Sequence, residues 1–326
     1  MNFQFIQGAT NLGPYLLQGL TSFFTPSDET APKETAPQNL PTSKPQQCQK
    51  ECTPNATIGK KISLQTIDKL SLSAIWTVAE KENGPTAILF HGHGNMCNDM
   101  ALHAKWYHKR GINTLFVTMR GYGESGGDSS NLNELGLYFD VEAAVYYVSR
   151  TKAIPMDKIV AHGCSLGGSL AAAAGSFFGA YVTLDHAFTT LAAIKNSPEC
   201  LPKGIIEGKF QSGKIYSNGE IKLTTDGLST VEKARKLEKE LFIFSGCDDQ
   251  VMPLSFSDEL YEARYGASPS EMQPQERKYY QQSKESHIAV MQGGHWAVFA
   301  RDEGASQKYA QHLYSIGLMD KKYLSL

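Results

Sequence analysis

Short apolar runs alternate with amphipathic segments through most of this chain, and that alternation constrains its fold more than any other feature. Six runs predict strands, at residues 86–90, 113–119, 158–161, 181–184, 241–245 and 287–291. Five segments predict helices, at residues 99–110, 135–150, 166–178, 255–265 and 306–316. Strands that alternate with helices form a parallel sheet with right-handed crossovers, covered by helices on both faces. The sequence therefore predicts an α/β fold whose ligand site lies at the carboxyl ends of the strands.

Three further segments complete the predicted domain. Residues 61–66 and 70–78 alternate in polarity and predict an antiparallel hairpin ahead of the parallel strands. Residues 189–237 contain Asn218-Gly219, a dipeptide that favours a two-residue hairpin turn. We expect this stretch to be a small lid over the site, with a surface loop of no role there as the alternative. Residues 266–286 are a polar excursion before the last strand.

The first 55 residues differ in composition from the predicted domain at 56–326. Residues 1–24 are apolar in places and carry no charged side chain. We expect a short helix that packs on the body, and a peripheral membrane contact is the alternative. Residues 25–55 are rich in Pro, Thr and Gln and predict a linker, because they cannot bury enough apolar surface to offset their ordering entropy.

Charge and hydropathy exclude several classes of partner and location. Lys and Arg number 31 against 33 Asp and Glu, so no basic field is available to bind nucleic acid. No run approaches 18 apolar residues, which excludes a spanning helix. The N-terminus lacks the basic start of a secretory signal peptide. We therefore expect a cytoplasmic protein or one held peripherally at a membrane.

A glycine-flanked serine follows the third predicted strand. Ser165 stands in the sequence GCSLG, directly before the predicted helix 166–178. A serine nucleophile at a strand-to-helix turn adopts strained backbone angles, and the positions two residues to either side must be tiny. Gly163 and Gly167 meet that requirement, so we predict that Ser165 is the nucleophile.

Ser125 lies in a second match to the same pattern, GESGG. A polar turn follows Ser125, with no helix to supply a positive N-terminal dipole. We therefore predict that Ser125 is not the nucleophile.

The partners of a serine nucleophile in this setting follow in the order acid, then histidine. Strand 241–245 leads into Asp248 and Asp249, which are both candidates for the acid. Strand 287–291 leads into Gly293-Gly294-His295, where a histidine can lie over the sheet edge at Ser165. Among the remaining histidines, His103, His162 and His186 lack this placement, as do His108, His287 and His312. We predict that His295 is the general base.

An oxyanion needs two backbone N–H donors, one from the residue after the nucleophile and one from the loop after strand 86–90. These positions are Leu166 and His93. His91 and His93 also raise the alternative of a metal pair, but two histidines at alternate positions of one loop are too few ligands to define a metal site. We therefore expect neither a metal nor any other cofactor.

The ordered motifs together resemble a known family. They are HGHGN at 91–95, RGYGES at 120–125, DVEAA at 140–144, GCSLGG at 163–168, SGCDDQVMP at 245–253 and GH at 294–295. Over about residues 86–296 the chain resembles the α/β-hydrolase superfamily, specifically the α/β-hydrolase-domain proteins. The resemblance implies the α/β-hydrolase fold and a serine hydrolase acting on esters or thioesters, in several members on acyl chains, lysophospholipids or lipidated proteins. It also implies that the acid stands four residues before Pro253, which selects Asp249.

The resemblance implies structural roles for Arg120 and Asp140, which would tie loops beneath the sheet. The chain departs from the family pattern in its first 55 residues, in residues 266–286 and in the loop that carries His93.

These patterns together predict a serine hydrolase of the lipase or esterase type with a small-molecule ester or thioester substrate. Ser165, Asp249 and His295 form its predicted catalytic triad, and His93 and Leu166 its oxyanion hole. A peptidase of the same fold is one alternative. A non-catalytic binding protein that keeps the fold is another.

Overall fold

The computed structural model describes residues 59–93, 97–127, 133–196, 212–215, 221–224, 228–266 and 273–326. Eight strands form the main sheet: β1 (Lys60–Gln65), β2 (Ser71–Thr77), β3 (Thr86–Phe90), β4 (Asn113–Val117), β5 (Ile159–Cys164), β6 (Tyr181–Asp185), β9 (Leu241–Gly246) and β10 (Ile288–Met291). Two more strands, β7 (Ser212–Ile215) and β8 (Ile221–Thr224), form a small separate sheet.

The main sheet has the strand order β1-β2-β4-β3-β5-β6-β9-β10. Its first pairings, β1 with β2 and β2 with β4, are antiparallel, and every later pairing is parallel. The predicted mostly parallel sheet and its N-terminal antiparallel hairpin are therefore confirmed. The carboxyl ends of β5, β6, β9 and β10 meet at one edge of this sheet.

Helices cover both faces of the sheet. They are α1 (Cys97–Lys109), α2 (Glu134–Tyr146), α3 (Leu166–Phe178), α4 (Leu191–Asn196), α5 (Thr230–Ala234), α6 (Leu254–Tyr265), α7 (Pro274–His287) and α8 (Glu303–Ser315). One apolar cluster packs α2, α3, α5 and α6 against one face, and a second packs α1 and α8 against the other. Because both faces are covered, every residue of β3, β4, β5 and β9 is buried, as expected of central parallel strands.

Two paired strands flank the Asn218-Gly219 dipeptide, which itself lies outside the described residues. Strands β7 and β8 pair antiparallel, with Ile215 opposite Ile221. Within the predicted lid at 189–237, residues 197–211, 216–220 and 225–227 lie outside the described residues, so the covering role of this insertion stays a prediction. The segments 1–24 and 25–55 lie outside the described residues as well.

Helix α7 lies largely within the polar segment 266–286, where the sequence predicted neither a helix nor a strand. Pro274 opens this helix, and Gln273 and Glu276 form a capping box at its start. Its one buried residue is Tyr280, so the helix has almost no apolar stripe to reveal it. Among the described helices, none is long and apolar enough to cross a membrane.

Arg120 joins the loop after β4 to the turn at Asp68 and to helix α2, through two carboxylates. Its Nε donates to Asp140 Oδ1 at 2.8 Å, and its Nη1 donates to Asp68 Oδ2 at 2.7 Å. These contacts agree with the structural role that the family resemblance implies for Arg120 and Asp140. Their position in the fold differs from the position that the resemblance implies. Arg120 follows the carboxyl end of β4, and Asp68 lies in the turn before antiparallel β2, so the network sits at the carboxyl edge rather than beneath the sheet.

Candidate active site

Ser165 occupies a strained turn between β5 and α3. Its φ of 52° and ψ of −113° lie in a backbone region that residues other than glycine rarely adopt. The turn is tight because a Cβ at Gly163 would overlap the carbonyl oxygen of Gly167, and a Cβ at Gly167 would overlap that of Phe90. The two glycines therefore permit the turn for the steric reason that the sequence pattern implied.

Neighbouring groups hold this turn in place. The Ser165 N–H donates to the carbonyl oxygen of Asp185 at the end of β6, at 2.8 Å. Helix α3 begins at Leu166, so the Leu166 N–H is one of the first helical donors and has no acceptor within the helix. The positive end of the helix dipole thus lies beside the Ser165 hydroxyl, where an oxyanion would form.

Asp249 and His295 form a hydrogen-bonded pair at the same edge. Asp249 Oδ2 lies 3.0 Å from His295 Nδ1, while Asp249 Oδ1 accepts the N–H groups of Val251 and Met252 at 2.8 Å and 2.7 Å. Burial by itself raises the pKa of Asp249, but the hydrogen bond and charge of His295 and the Met252 N–H lower it below its ordinary value. Asp249 is therefore an ionised carboxylate at neutral pH, able to hold His295 in one tautomer.

Backbone contacts bring the acid loop and the histidine loop together. The Cys247 N–H donates to the carbonyl oxygen of Met291, and the Asp248 N–H donates to that of Gly293. A Cβ at Gly246 would lie only 2.5 Å from the Gly293 oxygen, so a side chain there would force the loops apart. The Asp248 side chain is exposed and lies 3.3 Å from Cys247 Sγ. Of the two candidate acids, the structure pairs Asp249 with the histidine.

Ser125 has a structural place. Its hydroxyl donates to the Thr118 carbonyl oxygen at 2.6 Å and accepts the Ser73 N–H at 2.9 Å. Both hydrogen-bonding roles of this hydroxyl are thus used to join the turn to β2 and to the end of β4.

The loop after β3 holds its two histidines differently. His91 is buried, its Nδ1 donates to the Gly92 carbonyl oxygen, and its Nε2 accepts the Met119 N–H. Burial lowers the pKa of His91 to about 4, so the ring is neutral. Because both of its nitrogens are occupied, His91 cannot share a metal with its neighbour. His93 Nδ1 lies 2.6 Å from the hydroxyl of Tyr122, which fixes the loop near the sheet edge.

A second Asp–His pair, which sequence reasoning missed, lies beside His295. Asp185 Oδ1 accepts the His186 Nδ1 proton at 2.6 Å, and the rings of His186 and His295 meet edge to face with centroids 5.7 Å apart. Burial opposes protonation of His186, but the bond and charge of Asp185 and the charge of Asp249 raise its pKa above the ordinary value. The available signal was an Asp-His dipeptide directly after predicted strand 181–184.

The described site therefore gathers a strained serine, a histidine with its carboxylate and a helix N-terminus at one edge of the sheet. Ser165, Asp249 and His295 are each less than 8% exposed, so charge that develops among them is poorly screened by water. Such a set can transfer a proton from a hydroxyl and stabilise a negative charge next to it. The catalytic roles of these residues stay predictions.

Comparison with known proteins supports the fold. No family model matches the chain. It is 29% identical over 199 residues to protein bem46 of Schizosaccharomyces pombe, an α/β-hydrolase-domain protein. That match covers 60% of this chain and 62% of bem46, so the chain spans less than two thirds of this relative.

Two solved esterases share the architecture. The esterase Pf2001 of Pyrococcus furiosus superposes with a TM-score of 0.57 at 18% identity, over 79% of this chain and 93% of that one. The esterase of Exiguobacterium antarcticum gives a TM-score of 0.53 at 14% identity, over 78% and 100% of the two chains. The chain has the α/β-hydrolase fold, and its resemblance to α/β-hydrolase-domain proteins is confirmed.

Proposed function

We propose that this protein is a serine hydrolase that cleaves carboxylic esters or thioesters through an acyl-enzyme intermediate. The observation that carries the proposal is the strained Ser165 at the end of β5, on the same sheet edge as the hydrogen-bonded pair Asp249–His295. Strain at a non-glycine residue is retained where it serves a function, and holding a nucleophilic hydroxyl at the carboxyl edge of the sheet is such a function. Esterases of the same fold support this chemistry.

The reaction follows from these positions. The Ser165 hydroxyl attacks the acyl carbon while its proton passes to His295 Nε2, and the N–H groups of Leu166 and His93 bind the resulting oxyanion. The bond to the alcohol or thiol then breaks, and the leaving group takes the proton from His295. Water repeats the sequence on the acyl-enzyme and releases the carboxylic acid and free Ser165. Asp249 remains ionised throughout and stabilises the imidazolium.

Substrates with acyl chains fit the apolar features of the molecule. Trp296 follows the proposed base directly and is 62% exposed, with its ring centroid 5.4 Å from that of His295. An exposed indole beside the reacting groups offers an apolar surface to an acyl chain. The charge-free apolar residues 1–24 suit a substrate met at a membrane surface. We therefore propose a lipase or a deacylase of lipidated molecules.

Hydrolysis of p-nitrophenyl esters with short to long acyl chains tests the proposal. Wild-type protein should turn over these esters, and Ser165→Ala should remove the activity except for what oxyanion stabilisation alone supplies. Ser125→Ala is the matched control and should retain most of the turnover. Loss of activity in Ser125→Ala but not in Ser165→Ala would refute the assignment. Absence of turnover in wild-type protein across the whole series would favour the non-catalytic alternative.

A further inference from the structure

Three buried polar side chains converge on the face of the sheet covered by α1 and α8. They come from different elements: His103 from α1, His162 from β5 and Asp185 from the end of β6. Each is no more than 1% exposed. Asp185 Oδ2 lies 3.4 Å from His162 Nε2 and 3.7 Å from His103 Nε2, and one ligand atom from each residue lies within 4.8 Å of the others.

These separations suit ligands of one ion better than hydrogen bonds. An N–H···O bond has a usual length of about 2.9–3.0 Å, so 3.4 Å is long and 3.7 Å is too long. Zinc binds histidine nitrogen and carboxylate oxygen at about 2.0–2.1 Å with tetrahedral angles, which places two ligand atoms about 3.3–3.4 Å apart. The two distances from Asp185 Oδ2 to the histidine nitrogens are within a few tenths of an ångström of that spacing.

His103 supplies an independent observation. Among the described residues, neither ring nitrogen of His103 has a hydrogen-bond partner, although both are buried. A buried N–H without an acceptor destabilises a fold, and native structures rarely retain one without cause. A metal bound at Nε2 would satisfy one of these nitrogens.

The other two ligands have the outer contacts that metal ligands commonly show. His162 Nδ1 lies 2.9 Å from the Tyr107 hydroxyl, and a proton donated there leaves the Nε2 lone pair free. Asp185 Oδ1 accepts the His186 proton at 2.6 Å, which orients the carboxylate and leaves Oδ2 for the cluster. Carboxylate and histidine ligands held by such partners keep the geometry that an ion requires.

We propose that His103, His162 and Asp185 bind a zinc ion through two Nε2 atoms and one carboxylate oxygen. The ring centroids of Phe299 and His103 are 4.6 Å apart, so little room is left for an octahedral shell of ligands. This enclosure favours a four-coordinate ion. The described residues supply three ligands at this cluster, so a water molecule completes the tetrahedron.

The ion would stabilise residues that position the proposed active site. Asp185 accepts the Ser165 N–H through its backbone oxygen and holds His186 against His295 through its side chain. His162 lies on β5, three residues before Ser165. The metal site is buried and does not contact the reacting atoms, so a bound ion would affect the stability of the fold. The test of this site therefore does not depend on which substrate the protein hydrolyses.

Metal content and thermal stability of the full-length protein test the site together. We expect about one zinc per chain by inductively coupled plasma mass spectrometry after gel filtration in metal-free buffer. A strong chelator should lower the Tm, and zinc should restore it, by about 5–10 °C when zinc exceeds its Kd about a thousandfold.

His103→Leu separates a metal site from a packed polar cluster. Leucine has a similar volume and no polar atom, so without a metal the variant would lose only an unsatisfied imidazole and should be as stable as wild type or more so. With a metal, it should lose the zinc and show the Tm of the chelated wild type. His312→Leu, at another buried histidine outside the cluster, is the matched control and should retain zinc.

Two results would overturn the proposal. One is wild-type protein that holds no zinc as purified and shows no Tm shift with added zinc. The other is His103→Leu that keeps its zinc, which would place the ion elsewhere in the chain.

Discussion

Replacing Asp249 by asparagine should remove most catalysis while leaving the fold intact. Asp249 Oδ1 accepts two backbone N–H groups, from Val251 and Met252. In the Asp249→Asn variant the amide oxygen stays on those donors, so the amide nitrogen faces His295 Nδ1. Since that nitrogen is a donor, Nδ1 becomes an acceptor and the His295 proton moves to Nε2. The general base then presents a proton to Ser165 instead of a lone pair.

The expected loss is large because the tautomer is wrong in every molecule. The corresponding change in a serine protease lowers kcat about 10⁴-fold. Four decades correspond to about 5.4 kcal/mol of lost transition-state stabilisation. The unfolding midpoint should change little, because the two backbone bonds to Oδ1 are kept.

Steady-state hydrolysis of a short p-nitrophenyl ester at neutral pH measures this effect, with the urea unfolding midpoint as a check on the fold. Asp248→Asn is the matched control, since the Asp248 side chain is exposed and bonds only to the neighbouring Cys247 among the described residues. It should retain most of the turnover. The reasoning is refuted if Asp249→Asn keeps more than about a tenth of wild-type kcat, or if Asp248→Asn suffers the greater loss.

Three further predictions concern packing, charge and the N-terminal segment. Gly167→Ala should lower the free energy of unfolding, measured with urea, by about 3 kcal/mol or more, because the added Cβ would overlap the Phe90 oxygen. Gly304→Ala is the control: its Cβ would make only an ordinary 3.5 Å contact, so it should be neutral or stabilising. Equal effects of the two substitutions would contradict the account of the turn. Burial lowers the pKa of Lys233 to about 8, so between about pH 8 and 10.5 the unfolded chain binds more protons, and wild-type stability should rise by about 3 kcal/mol relative to Lys233→Met over that range. A flat difference in urea unfolding would show that Lys233 stays protonated. Deleting residues 1–55 should reduce co-sedimentation with liposomes and spare hydrolysis of a short soluble ester; loss of that activity with poor solubility would instead mean that the segment packs on the body.

Local steric rules made the nucleophile turn predictable. The prediction of helix 166–178 agrees with α3 at both ends, because the glycines and the strand before Ser165 admit few other structures. The bounds of β3 were likewise predicted, since a fully buried parallel strand is a short continuous apolar run. The register of the acid loop followed from the spacing to Pro253, and the structure pairs Asp249 with His295.

Features that depend on tertiary contacts were not predictable. Helix α7 was missed because its capping box and first-turn proline were its only clear signals and its composition is polar. The cluster of His103, His162 and Asp185 was missed because its members are far apart in sequence and meet only when α1 packs on the sheet. The position of a single histidine along the chain carries no information on which residues it meets in the fold.

Covalent labelling with a fluorophosphonate tests the central claim most directly. A serine activated by His295 should take up one phosphonyl group per chain, visible as a single mass increment on the intact protein. Peptide mapping should place that group on Ser165, and Ser165→Ala should remain unlabelled while Ser125→Ala reacts like wild type. Wild-type protein that stays unlabelled, or that carries the group on Ser125, would contradict the assignment of Ser165 as the nucleophile.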